Sequence, residues 1–169
     1  AKYTKVHVTR SISFLKNYLA ERGYSKLDSS DCAAMLLCTE LETKAEAVHF
    51  RNTKSALLGK MLGTADLLGQ MSDRHYLEKL LFLFYEFCEA GITGYTSELD
   101  LLRKTKGFYV MIEKRLEKEL GNVQRYVTSH CRERWGIDRN IYELSIQKNM
   151  KYLDYVLNNH AKEYRTYLR

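Results

Sequence analysis

The sequence contains no proline and only nine glycines in 169 residues. Proline interrupts helices because it lacks an amide N–H, so its absence leaves little to break them. Alternation of apolar and polar residues, which is typical of strands, is hard to find. These features predict an all-α protein, a single-domain helical bundle of about six to eight helices.

The sequence also lacks closely spaced cysteines and long apolar runs. Its four cysteines, Cys32, Cys38, Cys88 and Cys131, form no C-x-x-C pair, which excludes a zinc knuckle or a disulfide framework and predicts buried, reduced thiols. The most apolar stretch, 76–88, contains three charged residues and is too short to cross a bilayer. No signal peptide is recognisable at Ala1. We therefore expect a cytoplasmic protein that does not associate with membranes.

The formal net charge is +6, which suits a phosphate-bearing ligand and is also common for a helical domain. Basic and acidic residues alternate, as in Glu-Lys-Arg-Leu-Glu-Lys-Glu at 113–119, a pattern typical of a solvated helix face. No basic stripe combines with stacking aromatics in a recognised motif, which argues against nucleic-acid binding.

Apolar periodicity and capping residues predict helices at about 3–22, 29–38, 53–72, 73–90, 96–120, 123–134 and 139–167. The expected N-caps are Asp28 or Ser29, Asn52 or Thr53, Ser72, Thr96 or Ser97, and Asp138. Residues 39–52 are expected to form a loop, and helix 73–90 the buried centre of the fold. No linker divides the chain, so residues 1–95 and the C-terminal extension 96–169 are expected to form one compact domain.

The stretch 57–74 places an acid inside an apolar helix. At 100° per residue, one side of this helix carries Leu58, Met61, Leu62, Ala65 and Gly69, and a neighbouring side carries Gly59, Gly63, Asp66, Gln70 and Asp73. Two glycines spaced by four residues let another helix approach closely. Asp66 would be poorly hydrated there and would need a metal, a cation or a hydrogen-bonded partner. Alternatively, it bonds a helix end or an arginine and only fixes packing.

The segment Leu62-Gly63-Thr64-Ala65-Asp66-Leu67-Leu68-Gly69 resembles the "ADL" helix that closes the metal site of HD-domain phosphohydrolases. The continuation through residues 70–80 is similar to a bacterial subgroup of that family. The resemblance covers roughly the first half of the chain and implies an HD-like fold there. It implies that Asp66 is the last metal ligand of an H…HD…D set. The implied activity is hydrolysis of a nucleotide or other small phosphate ester, with a divalent transition metal as cofactor.

The sequence departs from the HD pattern because it contains no His-Asp dipeptide. Either the chain is the C-terminal part of a longer HD protein, or it is a relative that has lost the site. In the second case we expect a non-catalytic helical interaction or regulatory module. The expected partners are a small phosphorylated molecule, another protein domain or a second copy of the chain. The candidate pocket residues beside Asp66 are Gln70, Asp73, Arg74, His7, His49 and Arg103, with His75 as a further supplement. For His7 and His49 the alternative is an ordinary surface position.

Overall fold

The computed structural model describes residues 4–168, and these residues form eight α-helices and no strand. The helices are α1 His7–Glu21, α2 Lys26–Leu37, α3 Thr53–Ser72, α4 Tyr76–Glu89, α5 Glu98–Lys114, α6 Val127–Trp135, α7 Ile141–Asn159 and α8 Tyr164–Tyr167. The prediction of an all-α fold is confirmed. The predicted start of the first helix, Tyr3, lies outside the described residues. In the described range, no helix combines the length and the apolar content needed to cross a lipid bilayer.

Helix starts follow the capping residues, although three of the predicted caps are wrong. One of them is Ser72, because α4 begins at Tyr76 and His75 is its N-cap. Asn52 caps α3 by accepting a hydrogen bond from the Ser55 amide at 2.8 Å, as predicted. Ser97 does the same for α5 through the Asp100 amide, also as predicted. In contrast, α2 begins at Lys26 rather than at Ser29 because Ser25 accepts from the Asp28 amide.

The long helix predicted at 139–167 begins later and ends earlier in the structure. Asn140 is its N-cap, because the predicted cap Asp138 instead forms an ion pair with Arg132. The helix ends at Asn159, and the chain turns back through His160 to the short helix α8. The His160 ring stacks on Tyr167 with 3.8 Å between ring centroids. This contact requires a turn and cannot form along a straight helix.

Contacts between Cα atoms divide the chain into two units, which are described separately. The first unit contains residues 6–67 and 113–127, and the second contains residues 4–5, 68–112 and 128–168. In the first unit, α1 and α2 pack against each other. The predicted division at residue 95 and the HD-like character of the first half remain predictions.

The core of the second unit includes Leu102 on α5 and Leu153 and Val156 on α7, whose side chains have no exposed surface. An ion pair between Lys106 and Asp154 also connects α5 to α7. The α4 helix also belongs to this unit, but only its first half is buried. Tyr76, Leu77 and Leu80 lie in the core, whereas the outer face carries exposed aromatic side chains. The prediction that α4 is the buried centre of the fold is therefore wrong, because no helix among the described residues covers its outer face.

Candidate functional site around Asp66

The side of α3 that carries Gly59 and Gly63 packs closely against the residues that end α2. The predicted close approach of another segment to these glycines is confirmed. A Cβ atom built at Gly63 would lie 2.5 Å from the carbonyl oxygen of Cys38, a distance that real Cβ atoms do not reach. One built at Gly59 would lie 2.9 Å from the Phe50 ring and 3.1 Å from the Cys38 sulfur. The approaching segment is the C-terminal end of α2 and its following loop rather than the side of another helix.

A buried arginine holds this loop in place. The Arg115 side chain donates hydrogen bonds to the carbonyl oxygens of Cys38 at 3.2 Å and Glu40 at 2.8 Å. It also donates to the carbonyls of Leu41 at 3.2 Å and Thr43 at 3.1 Å. The Cys38 carbonyl lies at the C-terminal end of α2, where the helix dipole favours a positive charge, and the other three carbonyls belong to the following loop. The Cys38 carbonyl is thus fixed between Gly63 and the guanidinium group.

The interpretation of residues 113–119 as a solvated face is wrong for Arg115, which is only 4% exposed. The predicted i to i+4 pairing does form, because Arg115 donates to Glu119 at 2.9 Å. The segment Arg115–Glu119 is π-helical, and Leu116 is buried within it. Leu116 and Leu120 are buried as well, and these two apolar residues are a local sequence signal that this side of the helix faces the interior. The loop carbonyls that Arg115 contacts are more than 70 residues away in sequence.

The Cys38 thiol is fully buried beside this contact. Burial raises the pKa of Cys38, and the nearby charges of Arg115 and Lys60 oppose that rise without reversing it. The thiol therefore stays protonated at neutral pH and acts as a small apolar group. The prediction of buried, free thiols is confirmed for Cys38 and Cys131, but it is wrong for Cys88, which is exposed, and Cys32 is only half-buried.

Asp66 lies on α3 one turn after Gly63, and its side chain is half-buried. The side of α3 that carries Leu58, Met61 and Leu62 is uncovered, with 42%, 44% and 39% of these side chains exposed. With Leu57, which is 47% exposed, these residues form what we call the α3 apolar surface. Because Asp66 follows Leu62 by one turn, its carboxylate lies at the edge of this surface. An acid is thus held next to an apolar face that no described residue covers.

The other candidate pocket residues do not join Asp66 in a metal site. Five of these candidates are exposed, namely His7, His49, Gln70, Arg74 and Arg103. Asp66, His7 and His49 belong to the first unit and the remaining candidates to the second. Among residues 4–168, no group of three or more His, Cys, Asp or Glu side chains is arranged to hold a metal ion. The described residues alone therefore do not fit a metal centre.

Asp73 connects the end of α3 to the start of α4. Its carboxylate accepts hydrogen bonds from the Lys79 ammonium group and from the His75 amide. The Lys79 hydrogen bond, with a smaller contribution from His75, lowers the pKa of Asp73 below its usual range. These contacts give Asp73 a structural role at the joint between the two helices.

A shallow cavity of about 220 Å³ lies between α2 and the start of α3. Met35 and Leu58 contribute apolar walls, and an ion pair between Asp31 and Arg51 lies at its edge. Asp66 does not line this cavity. The cavity depends on how α2 packs against α3, which the sequence pattern does not specify.

Comparison with known proteins gives one match. No curated protein and no solved structure matches the chain. The family model described as Npun_R2479-like matches residues 1–129. This match covers most of the chain, including α1 to α5 and Asp66, and its description names no activity. On this match, the chain belongs to the Npun_R2479-like family.

Proposed function

We propose that this chain contributes Asp66, as the last metal ligand, to a phosphohydrolase of the HD type. The substrate class is a nucleotide or another small phosphate ester. The observation that carries the proposal is the close contact between Gly63 and the Cys38 carbonyl, one turn before a half-buried acid. It supports the resemblance of residues 62–69 to the "ADL" helix, in which an acid has this setting.

The packing gives Asp66 a rigid support. Backbone contact at Gly63 and the hydrogen bonds of Arg115 fix α3 relative to the loop after α2. Ligands on a rigid helix hold a metal more accurately than ligands on a mobile loop. The position of Asp66 therefore suits a ligand whose geometry must be maintained.

The proposal requires ligands beyond those present among residues 4–168, since a single carboxylate does not hold a transition metal selectively. The α3 apolar surface supports a location for them, because large uncovered apolar areas commonly mark contact sites. A helical segment that packed there would bring its side chains next to Asp66. We propose that such a segment carries the His and His-Asp ligands. No catalytic step is assigned to the present residues.

The decisive experiment uses the full-length product of the gene. The sequence encoded upstream of Ala1 should contain an H…HD pattern. The purified protein should contain a transition metal and should hydrolyse a simple phosphate ester. Asp66→Asn should lose both the metal and the hydrolysis, because the amide is a weaker metal ligand than the carboxylate.

The matched control is Asp154→Asn, which removes an acid on α7 that is paired with Lys106 on α5. It should keep the metal content and activity of the unchanged protein. Metal-free wild-type protein, or equal metal content in the two variants, would contradict the proposal.

A second candidate function is a non-catalytic interaction or regulatory module. The observation that favours it is the number of exposed large apolar side chains, which include Phe14 and Phe82 at 70% exposure each. In this case, Asp66 has only a packing role. The two functions differ in the experiment above, because a module without turnover shows no phosphate-ester hydrolysis and no metal content that depends on Asp66.

A further inference from the structure

The cavity between α2 and the start of α3 lies within the first unit and is separate from Asp66. Its lining comes from α2, from the residues just before α3 and from the first two turns of α3. A volume of about 220 Å³ corresponds to roughly seven water molecules. The cavity therefore has room for a small organic molecule, but not for a nucleotide or a peptide.

The start of α3 makes one part of this cavity suitable for an anion. Ser55 lines the cavity and is only 4% exposed. Its amide donates to Asn52, whereas its hydroxyl makes no hydrogen bond within residues 4–168. The neighbouring Lys54 also lines the cavity and forms no ion pair in the same range. The amide groups and the dipole at the start of a helix attract anions as well. This part of the lining suits a carboxylate group.

The α2 side of the cavity carries an acid without an opposite charge. Asp28 accepts a hydrogen bond from the Ser25 hydroxyl at 2.6 Å, but it forms no ion pair with any residue that the structure describes. The other acid in the lining, Asp31, is paired with Arg51. Asp28 and Lys54 thus remain as one unpaired charge of each sign. The α2 side suits an ammonium group.

We propose that this cavity binds a free α-amino acid with an apolar side chain of the size of leucine. The carboxylate binds at Lys54 and Ser55, and the ammonium group binds at Asp28. The apolar side chain packs against Met35 and Leu58. A simple anion such as phosphate fits less well, because it would also meet the carboxylate of Asp28. This inference goes beyond the proposed function and does not depend on it.

The first test is isothermal titration of the unchanged chain with L-leucine, which should bind with a dissociation constant below about 1 mM. The matched ligands are 4-methylpentanoate, which lacks the ammonium group, and 3-methylbutylamine, which lacks the carboxylate. Each should bind at least tenfold more weakly, because one unpaired charge of the cavity then stays without a partner. Absence of L-leucine binding, or equal affinity for 4-methylpentanoate, would overturn the proposal.

Variants of the lining test the assignment of each ligand group. Asp28→Asn and Lys54→Gln should each weaken L-leucine binding at least tenfold, and Ser55→Ala should weaken it several-fold. The controls are Glu46→Gln and Lys16→Gln, which remove exposed charges of the first unit that do not line the cavity. They should leave the dissociation constant unchanged, with circular dichroism to verify that every variant is folded. Unchanged binding by the Asp28 and Lys54 variants would contradict the proposal.

A second test locates the amino acid through cysteine chemistry. Cys32 is half-buried and lines the cavity, whereas Cys88 is exposed and belongs to the other unit. Saturating L-leucine should slow the alkylation of Cys32 by iodoacetamide several-fold and leave that of Cys88 unchanged. Mass spectrometry of the labelled peptides measures both rates. Equal labelling of Cys32 with and without L-leucine would show that the amino acid does not occupy this cavity.

Discussion

The Cα atom of Gly63 is where the structure tolerates a side chain least. The atom that a Cβ would meet is a backbone carbonyl oxygen, itself hydrogen-bonded to Arg115. At Gly59, by contrast, the nearest atoms belong to the Phe50 ring, a side chain that can rotate. At Gly69, on the same helix, a Cβ would meet nothing within 4 Å. The three glycines of α3 therefore differ in how much space the packing leaves for a side chain.

We expect Gly63→Ala to lower the free energy of unfolding by about 2–3 kcal/mol, because the Cys38 carbonyl would have to move and strain its bond to Arg115. Gly69→Ala should raise it by about 0.5–1 kcal/mol, because alanine favours the helix and meets no neighbour. Urea denaturation of the two variants measures both changes.

The free energy of unfolding of Gly59→Ala is expected to lie between those of these two variants, because the Phe50 ring can move aside. Equal stability of Gly63→Ala and Gly69→Ala would show that α3 does not pack on the Cys38 carbonyl as described. The comparison is well controlled, because both changes add one methyl group to the same helix.

Among the elements, α8 is attached to the start of α5 by a buried acid. Glu98 is only 4% exposed, and its carboxylate accepts hydrogen bonds from Arg165 at 2.8 and 2.9 Å. The Tyr164 hydroxyl donates to the same carboxylate at 2.5 Å. Glu98 lies in the first turn of α5, where the helix dipole also favours a negative charge. The last helix is therefore held by charge as well as by packing.

This contact makes stability depend on pH. Burial alone would raise the pKa of Glu98, but hydrogen bonds from Tyr164, Tyr85 and Arg165, together with the charge of Arg165, hold it below the ordinary value. A carboxyl whose pKa is lowered by folding stabilises the fold above its unfolded pKa and loses that contribution as pH falls through the folded value. The stability difference between wild type and Glu98→Gln should thus be constant above about pH 5 and shrink below it.

Urea denaturation at several pH values measures this difference. The control is Glu163→Gln, which removes an exposed acid just before α8 that makes no capping hydrogen bond. The control should show no comparable stability difference at neutral pH. A difference between wild type and Glu98→Gln that grows as pH falls would contradict the assignment of a lowered pKa.

At the scale of the molecule, the family match ends at residue 129, but the second unit depends on residues beyond it. Leu153 and Val156 on α7 have no exposed surface. Asn149 donates hydrogen bonds to the carbonyls of Met71 and Asp73 at 2.8 and 3.0 Å. The Met71 carbonyl lies in the last turn of α3, where carbonyl groups lack helical partners, and the Asp73 carbonyl also accepts a hydrogen bond from the Tyr76 amide. The C-terminal region is thus an integral part of the second unit.

Ending the chain after Ser129 should therefore abolish cooperative unfolding of the second unit, because it removes α7 from the core. Thermal unfolding followed by circular dichroism, together with binding of a dye that recognises exposed apolar surface, measures the effect. A chain that ends at Lys162 keeps α7 and should unfold cooperatively at a lower temperature. Cooperative unfolding of the shorter chain at the wild-type temperature would disprove the prediction.

The sequence by itself determined the features that depend on neighbours within a few residues. The absence of proline and the apolar periodicity predicted an all-α fold, and the polar residues Asn52 and Ser97 predicted two helix starts. The spacing of Gly59 and Gly63 predicted a close approach to α3. Each of these rests on local backbone geometry, which the sequence pattern expresses directly.

Only the tertiary structure decided the features that depend on distant residues. The sequence does not show that Arg115 is buried against carbonyls at the end of α2, because those groups are far away along the chain. Nor does it show which side of α3 and which half of α4 stay uncovered. Apolar periodicity marks the faces that can be buried. Which of them is covered depends on how the helices pack, and the uncovered side of α3 lies next to Asp66.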